Sequence, residues 1–556
     1  MAQVTGGELL VRTLMKAGVE AVFGLHGAHI DTIFQACLDH DIPIVDTRHE
    51  VAAGHAAEGY ARAANRLGVA MVTAGPGFTN VVSSIANAYL DRTPLLYISG
   101  AAGLGQAETN TLQAGIDQVA VARPITKWAH QIGTVRDIPR LVAQAVRVAT
   151  SHPTGPVLLD IPMDVLGERI DEADAPVPER IEAAAPPAPQ PAAIDETLRL
   201  LKESRFPVIM AGVGARQSGA EEALRRLAEE SDIPVYSDFA AHGLLPSDHP
   251  LYAGTFHKMA DLEAPGDRPD LVLALGVRFG LFTLGDSDLI VPRTARVVHV
   301  ETDAREIGKV RAADIGIVAD SREVIEALRA RAGEGAWPDR SAWRDRIRRA
   351  GEERRARLVP ELARPQPPIH PYQAVSTIVD TIPDGTIVVG DGAEAYHWLN
   401  ETIAQREPGS YLTHGFLGCV GMGLGLALGA GTARPDRPVL CLIGDGAVGF
   451  TITEFDTMVR RGLPIVTLVM NNRSWAASQH FQELAVGPNR VTRTQLGAAR
   501  YDLVAAGFGC RGYHVTRIEQ LAPAIREAFD GGEPACINVE IDVVPTPPEL
   551  HLLMKR

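Results

Sequence analysis

The chain has 556 residues, of which 46% are hydrophobic, 22% charged and 5% aromatic, ordinary proportions for a globular protein with ample core. At about 100–200 residues per domain, this length predicts roughly three or four domains. A formal net charge of -15 without a long basic block argues against a nucleic-acid partner.

The start of the chain lacks the basic region and continuous apolar run of a signal peptide and is expected to open a helix. The apolar stretch 418–431 is too short and too glycine-rich to span a bilayer, so no membrane partner is expected. Cys37, Cys419, Cys441, Cys510 and Cys536 lie scattered without paired spacing, which reads as reduced core thiols in a cytoplasmic protein.

Two Pro-rich stretches, 174–193 and 364–372, read as extended linkers. They divide the chain into 1–175, 190–340 and 365–545. The first piece predicts strands at 21–23, 42–45, 68–73 and 94–99 and a helix at 51–65. The second predicts strands at 208–211, 271–275 and 297–300, and the third at 386–389, 439–443 and 465–470. Continuous Val/Ile/Leu runs suit strands buried on both faces. Their alternation with helices predicts an α/β protein of three doubly wound, mainly parallel-sheet domains.

The strongest local signal is in the third piece. A strand ends at Gly444-Asp445-Gly446, a helix is expected at 452–461, and the next strand ends at Asn471-Asn472. One βαβ crossover puts Asp445 and Asn472, 27 positions apart, at the carboxyl ends of neighbouring parallel strands, where open α/β sheets bind ligands. A charged and a neutral oxygen suit Mg²⁺, and a glycine-flanked helix start suits a diphosphate. A lone Gly-Asp-Gly is more often only a strand-to-helix turn; the second motif at this spacing makes it specific.

This arrangement resembles the binding motif of thiamine-diphosphate-dependent enzymes. The resemblance makes Asp445, Asn472 and the backbone carbonyl of Ser474 the Mg²⁺ ligands, with Gly446 and Ala447 against the diphosphate. The segment RHEVAAGHAAEGYAR, from Arg48, resembles the same family's pattern around its activating carboxylate, which becomes Glu50. Taken alone, Glu50 is a helix-start carboxylate favoured by the macrodipole. The loop Gly75-Pro76-Gly77 also matches. The family's carboxylate sets the cofactor's pyrimidine ring so that its thiazolium carbon becomes a nucleophile. The resemblance further implies that Glu50 meets the metal site across a subunit interface, in a homodimer at minimum and often a homotetramer.

It covers essentially the whole chain. In segments such as ETNTLQAGIDQVAVARPITKWAH and NNRSWAASQHFQELAVGPNRVT it comes nearest to the benzaldehyde lyases of the acetolactate-synthase-like superfamily. Carried over by position, His29, Gln113 and His26 are the polar groups at the reacting carbon. Gly75, Ala393, Tyr396, Gly418 and Val420 contact the cofactor, Val420 as the wedge that bends it. Ala28, Leu112, Met163, Tyr396, His414, Ala477 and Phe481 line the substrate pocket. The bland alternatives are a structural histidine at 26 or 29 and helix core at Ala477 and Phe481, which share a helical face. Met163 replaces a tryptophan of the lyases and Val420 a methionine, which predicts a preference for aliphatic aldehydes.

The implied activity is cleavage of 2-hydroxy ketones of the benzoin type to two aldehydes, and the reverse carboligation. Alternatives are an acetolactate-synthase-like or 2-hydroxyacyl-CoA lyase activity, a non-catalytic cofactor-binding paralogue, and a nicotinamide dehydrogenase suggested only by the α/β layout. The central piece has Gly212-Val213-Gly214 but no complete dinucleotide fingerprint, and is expected to be structural.

Overall fold

The computed structural model describes residues 3–106, 109–262, 268–285, 287–333 and 337–546. Three six-stranded sheets, each wholly parallel, form three α/β units, as the strand-helix alternation predicts. In the first sheet the spatial order is Ile44–Asp46, Val22–Gly24, Gly68–Val72, Leu95–Ala101, Val157–Pro162, Trp128–Gln131. In the third it is Tyr411–Thr413, Ile387–Asp391, Val439–Gly444, Ile465–Asn471, Ala535–Glu540, Arg511–Val515. The central strands are buried along their length, with only Gly444 at the end of its strand partly exposed, which is why they read as aliphatic runs.

Each sheet winds outward in two directions from one strand, and a crevice opens at the carboxyl ends where the direction switches. In the third sheet the switch lies between Ile387–Asp391 and Val439–Gly444, and in the first between Val22–Gly24 and Gly68–Val72. In the central sheet it lies between Pro207–Ala211 and Leu271–Leu275, beside Gly212 and Gly276. There the glycines serve chain packing. A Cβ on Gly212 would fall 2.3 Å from the carbonyl oxygen of Gly276, and one on Gly214 2.7 Å from the Cα of Gly276.

The first and third units meet through two helices, Glu50–Ala64 and Gly423–Ala433. Small residues let their backbones touch. A Cβ on Gly59 would lie 2.2 Å from the carbonyl oxygen of Leu426, and one on Gly429 1.9 Å from that of Ala56. His55, Glu58, Arg62, Asn87 and Asp91 form a buried polar network along this seam.

The chain opens differently from expectation. Gln3–Thr5 is a short strand paired antiparallel with Arg169–Asp171, and the helix begins only at Gly6, capped by the Thr5 hydroxyl. The first Pro-rich stretch is irregular up to Gln190, and Pro191 then starts a helix, where proline's missing N–H costs nothing. The second separates the helices Ser341–Leu362 and Pro371–Thr381.

Candidate active site

At the switch point of the third sheet, Gly444 ends its strand in extended conformation and Asp445 starts a four-residue helix, Asp445–Val448. The helix expected at 452–461 is present as Glu454–Arg461, and the short helix before it was not anticipated. Gly449 breaks the run, and the Thr451 hydroxyl donates to the Gly421 carbonyl instead of continuing a helix. A cavity of about 130 Å³ lies above this turn. It brings together Ala393, Val420, Asp445 and Gly446 with Ala447, Asn472, Ser474 and Ala477, all anticipated from the sequence.

Asp445 is the electrostatic centre of the cavity. Its Oδ1 accepts the Gly446 N–H at 2.9 Å, while Oδ2 is buried without a hydrogen-bond partner among the described residues. Burial pushes this carboxyl up to about 6 against the pull of nearby backbone N–H groups. The Asn472 side-chain oxygen accepts the Ser474 N–H at 3.1 Å, which orients it. An orphaned carboxylate oxygen beside an amide oxygen is a hard-oxygen donor set that fits Mg²⁺, whose charge would offset the burial.

The wall carrying Val420 and Gly418 is pinned by Asp391, which is fully buried. Its Oδ1 accepts N–H groups of Gly392 and Gly421 at 2.6 and 3.2 Å, and its Oδ2 that of Gly423 at 2.7 Å. Sequence reasoning passed over this residue. Its signal was a second Gly-Asp-Gly at a strand end, Gly390-Asp391-Gly392, on the other side of the same crevice.

The first sheet presents the other half. Glu50 opens the helix Glu50–Ala64 and is 8% exposed. Its Oε2 accepts from Asn80 Nδ2 at 3.0 Å. Gly75, at φ +63, closes the glycine loop, and its N–H donates to Gln118 Oε1 at 2.8 Å. Gln118 in turn donates to Asp160, Ser99 and the Gly100 carbonyl, so a buried amide holds the loop. Gln113 also sits at positive φ, +62, packed against Gly75. His29 Nδ1 lies 3.1 Å from Thr73 Oγ1 across the switch point, and burial holds its imidazole below the usual range. His26 is exposed and tied to Asp31. Ala28, Leu112, Met163 and Phe481 are also exposed, Leu112 at 81%.

Not every anticipated residue faces the cavity. Glu50 is not among the residues lining it within one chain. Tyr396 is 1% exposed, its ring packed on Phe239, His397 and His414. His414 opens instead onto a small cleft beside Arg278 and Phe416, and both its ring nitrogens lack hydrogen-bond partners among the described residues.

A further residue ties the halves within the chain. Glu454 accepts the Arg48 N–H at 3.0 and 3.2 Å and the Thr457 hydroxyl at 2.7 Å. It therefore fixes the turn that leads into Glu50. Burial pushes its carboxyl up to about 7 from an ordinary 4.5, despite those hydrogen bonds. Between these values the folded chain holds a proton that the unfolded chain has released. The stability this group contributes therefore falls as pH rises through that window. In denaturant titrations at pH 5 and pH 8, wild type should lose more stability on the way up than Glu454→Gln; parallel losses would disprove the assignment.

Three regions of the chain match the thiamine pyrophosphate enzymes: the N-terminal TPP binding domain over residues 4–121, the central domain over 194–328 and the C-terminal TPP binding domain over 391–539. The chain belongs to this family. Thiamine diphosphate, with Mg²⁺ as its usual partner metal, is therefore its cofactor. Among similar proteins, the acetolactate synthase large subunit of Mycobacterium tuberculosis is 34% identical over 96% of this chain and 95% of its own length. The probable acetolactate synthase large subunit of Methanocaldococcus jannaschii is 31% identical over 97% and 92%. Acetolactate synthase isozyme 1 large subunit of Escherichia coli is 30% identical over 97% and 94%. These names point to the acetolactate synthase side of the superfamily, where the segment resemblances had favoured benzaldehyde lyases. Among the described residues of this thiamine pyrophosphate enzyme, no helix is long and apolar enough to cross a membrane.

Proposed function

We propose that this enzyme joins and cleaves carbon–carbon bonds between two carbonyl-derived units, as a carboligase of the acetolactate-synthase type. The similarity to three proteins of that name over nearly their whole lengths carries this reading. Asp445, Asn472 and the Ser474 carbonyl would hold Mg²⁺. The turn 444–447 receives the diphosphate at a helix start. When bound, thiamine diphosphate supplies a carbon nucleophile and an electron sink for the acyl group.

The chain's own groups do the rest. Gly418 would meet the aminopyrimidine through its backbone, and Val420, which lines the cavity, would lie against the cofactor. Glu50 would hold a proton at the pyrimidine nitrogen. Since Glu50 does not line its own chain's cavity, it serves the cavity of a second copy, and the working unit is a homodimer at minimum. With Nδ1 engaged by Thr73, His29 offers Nε2 to the substrate hydroxyl; burial keeps the imidazole in the neutral form that can accept a proton, and makes it a weaker base that returns the proton easily. Gln113, fixed beside Gly75, hydrogen-bonds the substrate oxygen.

A second reading is lysis and formation of 2-hydroxy ketones from neutral aldehydes. One observation favours it: the described residues lining the cofactor cavity include no Lys or Arg to pair with a 2-oxo acid's carboxylate. Incubating the holoenzyme separately with pyruvate, with acetoin and with benzoin decides between the two. Acetolactate from pyruvate is the expected product. Aldehyde release from acetoin or benzoin, without turnover of pyruvate, would replace the first reading by the second.

A further inference from the structure

A cavity of about 470 Å³ outside the cofactor site lies between the central and C-terminal units. That volume is typical of small-molecule sites. The helix Ser341–Leu362 presents to it the positions that an amphipathic helix normally fills with apolar residues, i, i+3, i+4, i+7 and onward from Arg344. Four of these positions are Arg344, Arg348, Arg354 and Arg355, and a fifth is Gly351. Lys258 enters from the central unit, its stem laid over Gly254, where a Cβ would stand 2.7 Å from Lys258 Cδ.

Five cations thus face two lining carboxylates, Asp380 and Glu401. Glu401 is already committed to Arg354, at 2.8 and 2.9 Å, and to His257 at 3.3 Å. Arg344 pairs with Asp232 and Arg348 with Glu352. Lys258 and Arg355 have no hydrogen bond or ion pair among the described residues. Burial holds the Lys258 ammonium below its usual range. Lys258 is half-buried, and a buried cation without a partner is costly unless a ligand supplies the opposite charge; Arg348 and Arg355 line the same cavity with their side chains exposed to an incoming ligand. The opposite wall is apolar and aromatic, with Val379, Ile403 and Tyr372. The helix carrying the arginines falls between the regions matched by the family, 194–328 and 391–539.

We propose that this cavity binds a small organic phosphate of the nucleotide class, its phosphates on Arg348, Arg355 and Lys258 and its base against the apolar wall. Arginine forks and a lysine point charge are the groups that recognise phosphate. The helix Ala393–Thr402 lines the cofactor cavity through Ala393 and Trp398 and this one through Glu401 and Thr402, so an occupant would lie one short helix from the cofactor.

Calorimetry on the holoenzyme, saturated with thiamine diphosphate and Mg²⁺, tests the proposal whatever reaction the enzyme runs. The probes are ATP, tripolyphosphate and citrate. Saturable ATP binding is expected, tighter than that of tripolyphosphate, which lacks the base, and of citrate. Two variants place it. The double charge reversal Arg348→Glu with Arg355→Glu removes the phosphate contacts. Gly351→Leu fills the cavity, because a Cβ at Gly351 meets nothing within 4 Å and leucine favours a helix. Each is expected to weaken ATP binding at least tenfold in a protein that still binds thiamine diphosphate. No saturable ATP binding up to millimolar concentration, ATP binding unchanged in both variants, or citrate binding as tightly as ATP would overturn the proposal.

Discussion

Glu50→Gln is expected to leave a folded protein that still binds thiamine diphosphate and to lower kcat by about 10²–10⁴-fold, the usual worth of a positioned proton-transfer group. Glutamine keeps the shape and retains an oxygen to accept from Asn80, so the helix start should hold. What it loses is the carboxylate's capacity to hold and return a proton. Steady-state rates with cofactor titrated to saturation separate the two effects. A fall that saturation restores would make Glu50 a binding residue only, and a change under tenfold would remove it from the mechanism.

Asp445→Asn attacks the other half. Losing groups that merely support metal ligands commonly costs 10–100-fold in affinity, so losing the charged ligand itself should cost on the order of a hundredfold or more in Mg²⁺-dependent cofactor binding. The apo protein should behave in the opposite sense. In wild type, Asp445 keeps an oxygen buried without a partner among the described residues, and burial raises its carboxyl to about 6 from an ordinary 3.8. Below the lower value the group costs the fold nothing. As pH rises through the window its ionised form becomes a penalty, present in full above about 6. At pH 8 the cofactor-free variant should therefore melt no lower than cofactor-free wild type. Thermal melts of both proteins, with and without thiamine diphosphate and Mg²⁺, read the two effects together. A variant that binds cofactor normally would show that Asp445 is not a metal ligand.

The sheets were legible because strands buried on both faces leave unbroken Val/Ile/Leu runs, as at Val439–Gly444 and Ile465–Asn471. The cavity at the third sheet's switch point was legible because Asp445 and Asn472 belong to one crossover, so short-range spacing places them together. Groups that act across the chain were not. Glu454 reaches Arg48 over 406 residues, and Gln118 reaches the Gly75 loop over 43, without any local pattern to announce either contact. Side-chain direction was equally hidden. Tyr396 sits on a helix that borders the cavity, yet its ring turns into the core beneath. The break between Val448 and Glu454 came from one glycine and one threonine whose hydroxyl found a partner in another loop.

The glycine-lined seam between the helices Glu50–Ala64 and Gly423–Ala433 bears on how the chain is made. His55 and Cys419, which touch across it, are 364 residues apart. At about 5–20 residues per second, a ribosome needs roughly 20–70 s to deliver the second helix after the first. Through that interval a small-residue face, together with the carboxylates and guanidinium of Glu58, Asp91 and Arg62, waits without its cover. Synthesis thus imposes a delay on the N-terminal unit, and a chaperone or an early-folding neighbour would act in that gap.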